Sequence, residues 1–225
     1  RLISGLPFEL TESQKKVEGE ISSDLSLAQP MMRLLQGDVG SGKTLVAALS
    51  ALPVIDAGFQ VALMAPTELL SEQHAGQFSE WFSALGISVG WLTGSMKIRP
   101  RRAMLEHLAN GKCQMVIGTH ALFQDEIHFD RLGLVIVDEQ HRFGVAQRLS
   151  LREKGQNLTP HQLIMTATPI PRTLAMTHFA DLDISVIDEL PPGRTPVDTR
   201  ILNQSRATEI TDRLDTQFNE GGQAY

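Results

Sequence analysis

The sequence predicts an α/β protein built on a doubly wound, mostly parallel sheet with helices on both faces. Two observations predict it. Short apolar runs alternate with amphipathic stretches almost throughout the chain, and several of these runs consist of Val, Ile, Leu and Met without polar interruption. Uninterrupted runs are typical of strands covered on both faces. Strands that alternate with helices favour parallel pairing through crossover connections.

The size and composition of the chain exclude several classes of protein. It has 225 residues, of which 42% are hydrophobic, and a formal net charge of −6, which allows one large domain or one domain and part of another. Cys113 is the single cysteine, so an intramolecular disulfide is impossible. With no apolar run long enough for a membrane span and no signal peptide, we expect a reducing cytoplasm and no membrane partner. The acidic balance argues against a DNA-coating protein but allows local phosphate contacts.

The expected elements follow one another in chain order. The strands are Met31–Leu35, Val61–Ala65, Ser88–Leu92, Gln114–Gly118, Leu134–Asp138, Gln162–Thr166 and Ser185–Ile187. Apolar residues spaced by three and four predict helices around residues 70–85, 104–108 and 207–218. Three prolines and a glycine between Leu190 and Pro196 interrupt regular structure. A strand-like run at Asp198–Leu202 and a helix at about Ser205–Asn219 follow.

A phosphate-binding loop is the strongest motif. It fits G-x-x-x-x-G-K-[ST] and consists of Gly37, Asp38, Val39, Gly40, Ser41, Gly42, Lys43 and Thr44. The loop lies between an apolar run and a helical run, as the motif requires. Its glycines let backbone N–H groups approach a phosphate, and the next helix directs its positive end at the same anion. Lys43 can reach the β- and γ-phosphates and Thr44 can ligate Mg²⁺, so we expect ATP and Mg²⁺ as cofactors.

A second motif is the pair of carboxylates that ends the run Leu134–Asp138. The end of a buried strand lies at the sheet edge where open α/β folds bind ligands. Asp138 there can hold the water shell of Mg²⁺, and Glu139 can orient and deprotonate an attacking water. Gln140 and His141 complete a more specific tetrad.

Taken in order, these motifs resemble those of superfamily 2 helicases over about Phe8 to Arg194. Motifs I, Ia, Ib, II and III correspond to Lys43-Thr44, Ala65–Leu69, Leu92–Gly94, Asp138–His141 and Thr166–Thr168, and Gly118–His120 resembles a later DNA-contacting segment. The resemblance implies a RecA-like P-loop NTPase fold and an ATP-dependent DNA helicase that hydrolyses ATP. It further implies that the motor remodels branched DNA, such as stalled forks and recombination junctions, in repair and recombination.

The resemblance also implies roles for single residues near the nucleotide. Phe8 and Gln14 resemble the Q motif, in which glutamine reads the adenine edge, although Gln14 also fits a polar residue beside a helix start at Thr11. Gln140 and His141 would link the γ-phosphate to motif III. Thr166 and Thr168 would relay nucleotide state to DNA, and Arg172 would lie near the active site.

Five residues are expected to contact the DNA backbone through hydroxyls and backbone N–H groups. They are Thr67, Thr93, Gly94, Thr119 and His120, each placed after a predicted strand. Each of them also fits a loop or helix-cap residue. The basic cluster Arg99–Arg102 fits a solvated helix start better than a phosphate contact.

The domain organisation follows from the same resemblance. Residues 1–30 form a flank, 31–190 the first helicase lobe, 191–196 a linker and 197–225 the truncated start of a second lobe. The second lobe with its arginine finger and a DNA-wedge domain would lie outside a fragment cut at Arg1 and Tyr225, which would leave the isolated fragment poorly active. We expect a bacterial, nucleoid-associated cytoplasmic enzyme.

Two alternatives stay open. One is a transcription-repair coupling translocase, for which Gln140 in motif II is the less expected residue. The other is a nucleotide-dependent switch that does not hydrolyse ATP, against which Glu139 argues, because a switch needs no catalytic base.

Overall fold

The computed structural model describes residues 9–138, 158–168, 182–189, 199 and 201–223. The chain divides into two compact units, Arg1–Pro191 and Pro192–Tyr225. Phe8, Glu139, Gln140, His141 and Arg172 lie outside the described residues.

The first unit contains a parallel sheet. Within the described residues it has seven strands: β1 Met32–Gly37, β2 Gln60–Met64, β3 Val89–Leu92, β4 Met115–Gly118, β5 Leu132–Asp138, β6 His161–Thr166 and β7 Asp183–Ile187. Their order across the sheet is β3-β4-β2-β5-β6-β1-β7. All six pairings are parallel. The fold class predicted from the sequence is therefore confirmed, with every described pair parallel.

Strand pairing sets the strand ends more than apolar character does. β1 extends two residues beyond the predicted end at Leu35 because Gln36 pairs with Thr166 and Gly37 pairs with Ile187. The other strands lie within two residues of their predicted bounds.

Helices cover both faces of the sheet. They are α1 Glu12–Leu25, α2 Lys43–Asp56, α3 Glu68–Ser83 and α4 Ile98–Ala109. Successive strand residues alternate between two buried clusters: Val61 and Leu63 pack with side chains of α1, α2 and α3, whereas Ala62 and Met64 pack with Leu108 of α4. This alternation follows from the two-residue period of a strand. It explains why both sets of strand positions are apolar.

The second unit contains a short 3₁₀ turn at Gln204–Arg206 and α5 at Ala207–Asn219. The predicted helix is present. Of the run Asp198–Leu202, for which a strand is expected, the structure describes Thr199, Ile201 and Leu202, and none of these three is in a strand. A strand is stable only when another strand satisfies its backbone groups. Apolar character alone was therefore a poor guide to this run.

Among the described residues, no helix has the length and apolar character needed to cross a membrane.

Candidate nucleotide and nucleic-acid site

The phosphate loop connects β1 to α2 with a backbone that needs glycine. Gly40 and Gly42 have φ values of 81° and 89°, in the left-handed region that other residues rarely adopt. A Cβ on Gly42 would also lie 2.3 Å from the Nε2 atom of Gln14. Substitution at Gly42 would therefore strain the backbone and displace the amide of Gln14.

Two side chains of the loop fit a phosphate. The Lys43 ammonium donates to the carbonyls of Gly37 at 2.7 Å and Asp38 at 2.9 Å, which folds the lysine over the loop. The Ser41 hydroxyl is buried and has no hydrogen-bond partner among the described residues. The first turn of α2 has no acidic residue, so nothing there offsets the positive end of the helix. A buried donor, an ammonium and a helix N-terminus form a suitable set for a polyphosphate.

Gln14 links the start of α1 to this loop. Its Oε1 accepts from the N–H of Thr11 at 3.0 Å, and the Thr11 hydroxyl accepts from the N–H of Gln14 at 3.2 Å, which together make a capping box. Its Nε2 donates to the Ser41 carbonyl at 2.8 Å. Both ends of the buried amide are thus bonded to protein, and each keeps capacity for one further hydrogen bond.

Asp138 ends β5 at the same edge of the sheet as the phosphate loop. Asp138 pairs with Met165 of β6, and Thr166 pairs with Gln36 of β1. The end of β5 is therefore two strands from the end of β1, about 10 Å between backbones at ordinary strand spacing. The Oδ2 of Asp138 lies 2.8 Å from the Nε2 of His74 on α3. Thr44 lies in the first turn of α2. A metal held between a hydroxyl and a carboxylate suits Mg²⁺, which prefers oxygen ligands and keeps its waters.

Motif III lies between these two groups. Thr166 ends β6, and its buried hydroxyl accepts from the N–H of Thr168 at 3.1 Å. The carboxyl ends of β1, β5 and β6, with the residues that follow them, are called the nucleotide edge. It consists of the loop 37–44, Asp138 and residues 166–168.

The five residues expected to contact DNA lie together on the other half of the sheet edge. They follow β2, β3 and β4, which are neighbours in the order β3-β4-β2. We call these segments, residues 65–67, 93–95 and 119–120, the outer edge. β5, with Asp138 at its end, separates it from β6 and β1.

The hydroxyls of the outer edge already have local partners. Thr67 is the N-cap of α3 and accepts from the N–H of Leu70 at 3.2 Å. Thr119 caps the 3₁₀ turn His120–Phe123 and is only 4% exposed. Thr93 is 1% exposed, and its hydroxyl lies 3.2 Å from that of Ser95. Thr67, Gly94 and His120 are exposed, whereas Thr93 and Thr119 are buried. The three exposed residues are therefore the accessible ones at this edge.

The basic cluster lies at the start of α4. Arg101 donates to the carbonyl of Thr93 at 3.1 Å and to Gln124 at 2.7 Å, and it also pairs with Glu126. Arg102 pairs with Glu106 one turn later. Both guanidinium groups thus have partners in the chain. The helix start is as expected, but of the two side chains only that of Arg102 is solvated, at 82% exposure against 16% for Arg101.

Sequence reasoning missed two features of the site. His74 contacts Asp138, but a histidine within an amphipathic helix does not by itself indicate such a contact. The link between Glu68 and Ser95, in which the Ser95 hydroxyl donates at 2.8 Å, joins segments 27 residues apart. Cys113 is a core residue that is 2% exposed, and its burial raises the pKa of the thiol to about 11.

Comparison with known proteins decides the family. Residues 11–177 match the family model described as DEAD/DEAH box helicase. The chain belongs to this helicase family. The predicted superfamily 2 resemblance and RecA-like P-loop fold are confirmed.

Among helicases, RecG proteins are highly similar to this one. The chain is 61% identical to ATP-dependent DNA helicase RecG of Haemophilus influenzae and 62% identical to that of Escherichia coli, in each case over all of this chain and 33% of the relative. A solved structure of RecG bound to a three-way DNA junction superposes with a TM-score of 0.83 at 43% identity, covering 98% of this chain and 29% of that one. The helicase chain described here therefore spans about a third of the length of these curated relatives.

Proposed function

We propose that the chain is the first motor lobe of an ATP-dependent DNA helicase and translocase that remodels branched DNA, such as stalled forks and recombination junctions, in repair and recombination. Similarity to RecG over the whole chain, at 61 to 62% identity, carries this proposal. The relative whose structure contains a three-way DNA junction supports branched DNA as the partner. The setting would be the bacterial cytoplasm, at the nucleoid.

The nucleotide edge is the proposed ATP site. Lys43 and the loop N–H groups would bind the phosphates, and Thr44 and Asp138 would hold Mg²⁺, Asp138 through water. Bound Mg²⁺ supplies charge neutralisation at the transferring phosphoryl group. Glu139 would orient and deprotonate the attacking water, and Gln140 and His141 would contact the γ-phosphate and motif III. Gln14 would position the loop and, with Phe8, take the adenine.

The outer edge is the proposed DNA-contacting surface. Thr67, Thr93, Gly94, Thr119 and His120 would place backbone N–H groups along one DNA strand. Contacts of this kind fix position without reading sequence. Thr166 and Thr168, between Asp138 and the phosphate loop in strand order, would relay nucleotide state.

The rest of the motor is proposed to lie in other parts of a longer protein. Residues 31–190 would form the first lobe, 191–196 the linker and 197–225 the start of the second lobe. That lobe would add an arginine finger, and a wedge domain would engage the junction. Closing of two lobes over ATP would then drive stepping along duplex DNA.

The decisive experiment is ATP hydrolysis by the intact protein with forked DNA, linear duplex, single-stranded DNA and RNA as separate cofactors. We expect the forked substrate to stimulate turnover most. Equal stimulation by RNA would contradict a DNA helicase, and a preference for linear duplex would contradict junction remodelling.

The isolated fragment offers a second test. Residues 1–225 lack a complete second lobe under this proposal, so they should bind nucleotide weakly and hydrolyse it slowly, by analogy with the 10³- to 10⁵-fold contribution of an arginine finger. Robust DNA-stimulated hydrolysis by the fragment alone would contradict the two-lobe arrangement.

A further inference from the structure

His74 contacts the carboxylate that ends β5. It lies in the second turn of α3, and its Nε2 is 2.8 Å from Oδ2 of Asp138, with side-chain exposures of 11% and 15%. An ionised carboxylate can only accept hydrogen bonds, so Nε2 carries the proton. The bond to Oδ2 restrains the rotation of the carboxylate and therefore the direction of Oδ1.

Packing fixes the imidazole ring as well. Phe78, one turn further along α3, meets it edge to face, with ring centroids 6.4 Å apart and planes at 78°. Phe78 is fully buried and packs in turn against Phe82. The ring therefore has little freedom to turn away from Asp138.

The same face of α3 is bonded to the end of β3. Glu68 accepts from the Ser95 hydroxyl at 2.8 Å, and the Ser71 hydroxyl accepts from the Trp91 indole at 2.9 Å. Glu68, Ser71 and His74 are spaced by three residues, which places them on one side of a helix. The helix α3 thus joins the outer edge, through Ser95, to Asp138 of the nucleotide edge.

We propose that His74 is a positioning residue that orients Asp138 toward the nucleotide-bound magnesium and ties it to the helix bordering the outer edge. This inference rests on the proposed function, because it assigns Asp138 to the metal. Hydrogen-bond partners of metal-holding groups orient them, and loss of such a partner typically costs 10- to 100-fold in metal affinity. His74 lies on α3, whereas the phosphate loop connects β1 to α2. The contact with Asp138 therefore comes from outside the loop.

The test compares His74→Gln with His74→Met in the full-length protein. Both replacements are unbranched, similar in length and good helix formers, but only glutamine can donate a hydrogen bond at the position of Nε2. The measurement is equilibrium binding of a fluorescent ATP analogue as Mg²⁺ is titrated. We expect the half-saturating Mg²⁺ concentration to rise about 10-fold in His74→Met and to stay near the wild-type value in His74→Gln. Binding of the analogue in EDTA should be equal in all three proteins.

Controls separate positioning from simple stability. His107 is an exposed histidine on α4, and its Gln and Met variants should leave the Mg²⁺ titration unchanged. An unchanged Mg²⁺ titration in His74→Met would overturn the inference. Equal shifts in His74→Gln and His74→Met, with lowered thermal midpoints, would overturn it too, since packing would then be the cause. If His74→Met does not fold, His74→Asn, whose amide is too short to reach Asp138, takes its place.

Failure of the inference is distinguishable from failure of the proposed function. A wild-type protein that binds no Mg²⁺-dependent nucleotide would refute the ATP site itself and the inference with it. If the wild-type protein binds normally and the Mg²⁺ titration of His74→Met is unchanged, only the role of His74 is refuted.

Discussion

The nucleotide edge and the outer edge end the same sheet, yet their polar groups are used differently. At the nucleotide edge, Lys43 is bonded to loop carbonyls and the Ser41 hydroxyl has no partner among the described residues, so an anion can recruit both. At the outer edge, Thr67 and Thr119 already cap the turns that follow them. The first edge is prepared for a ligand, whereas the side chains of the second hold its loops in shape.

The largest expected effect tests the nucleotide edge. Lys43→Ala in the full-length protein removes the ammonium that would neutralise the β- and γ-phosphates, so ATP hydrolysis and fork unwinding should fall by at least about 100-fold. Steady-state hydrolysis and a fork-unwinding assay measure this. Lys112→Ala, at an exposed lysine in the turn after α4, is the matched control. Near-normal turnover in Lys43→Ala would remove the loop from the mechanism.

Glu139→Gln separates nucleotide binding from hydrolysis at the proposed ATP site. The amide keeps the size of the side chain but cannot accept the proton of an attacking water, so hydrolysis should fall by about 10² to 10⁴-fold. Nucleotide binding, measured with a fluorescent analogue, should stay within about threefold. Loss of binding instead would mean that Glu139 has a structural role.

The sequence predicted the fold well because the inner strands β2, β4 and β5 are dense apolar runs that are almost entirely buried. It also predicted the phosphate loop. The loop backbone has positive φ at Gly40 and Gly42, and this local requirement for glycine is visible in the spacing of the motif. It failed at the described residues of Asp198–Leu202, which are Thr199, Ile201 and Leu202. Strand formation there depends on a partner that the run itself does not specify.

The sequence could not separate contact residues from caps at the outer edge. Thr67 and Thr119 follow strands whether their hydroxyls bind a ligand or cap a turn, and only the hydrogen bonds distinguish the two uses. The contact of His74 with Asp138 could not be predicted for a related reason. Asp138 is 64 residues away, and a histidine on the buried face of a helix has no local signature.

A buried ion cluster stabilises β1, the strand that leads into the phosphate loop. Arg33 of β1 is 9% exposed and bonds to Asp24 of α1 at 2.7 Å and to Ser185 of β7 at 2.8 Å. Arg33→Ala should lower the free energy of unfolding by about 3 kcal/mol, near the low end for breaking a buried pair because Asp24 is partly exposed. Urea unfolding measures this.

An exposed pair provides the control for the arginine cluster. Arg102 and Glu106 are both well exposed on α4, so Arg102→Ala should change the free energy of unfolding by less than about 1 kcal/mol. Equal effects of Arg33→Ala and Arg102→Ala would mean that the cluster does not hold α1 and β7 to β1.

The smallest expected effect tests the outer edge. Thr67→Ala removes the N-cap of α3 and should lower the free energy of unfolding by about 1 kcal/mol, whereas Thr67→Ser keeps the accepting oxygen and should cost much less. If the DNA contact there is made by backbone N–H groups, both variants keep it, and the affinity of the full-length protein for forked DNA should fall by less than about twofold. Loss of a contact made by the hydroxyl would instead cost about 1 kcal/mol, or about fivefold in affinity. Binding titrations and urea unfolding measure the two effects separately. A large loss of affinity in Thr67→Ala that Thr67→Ser restores would show that the hydroxyl itself contacts DNA, and the contrast between the two edges would then be wrong at this residue.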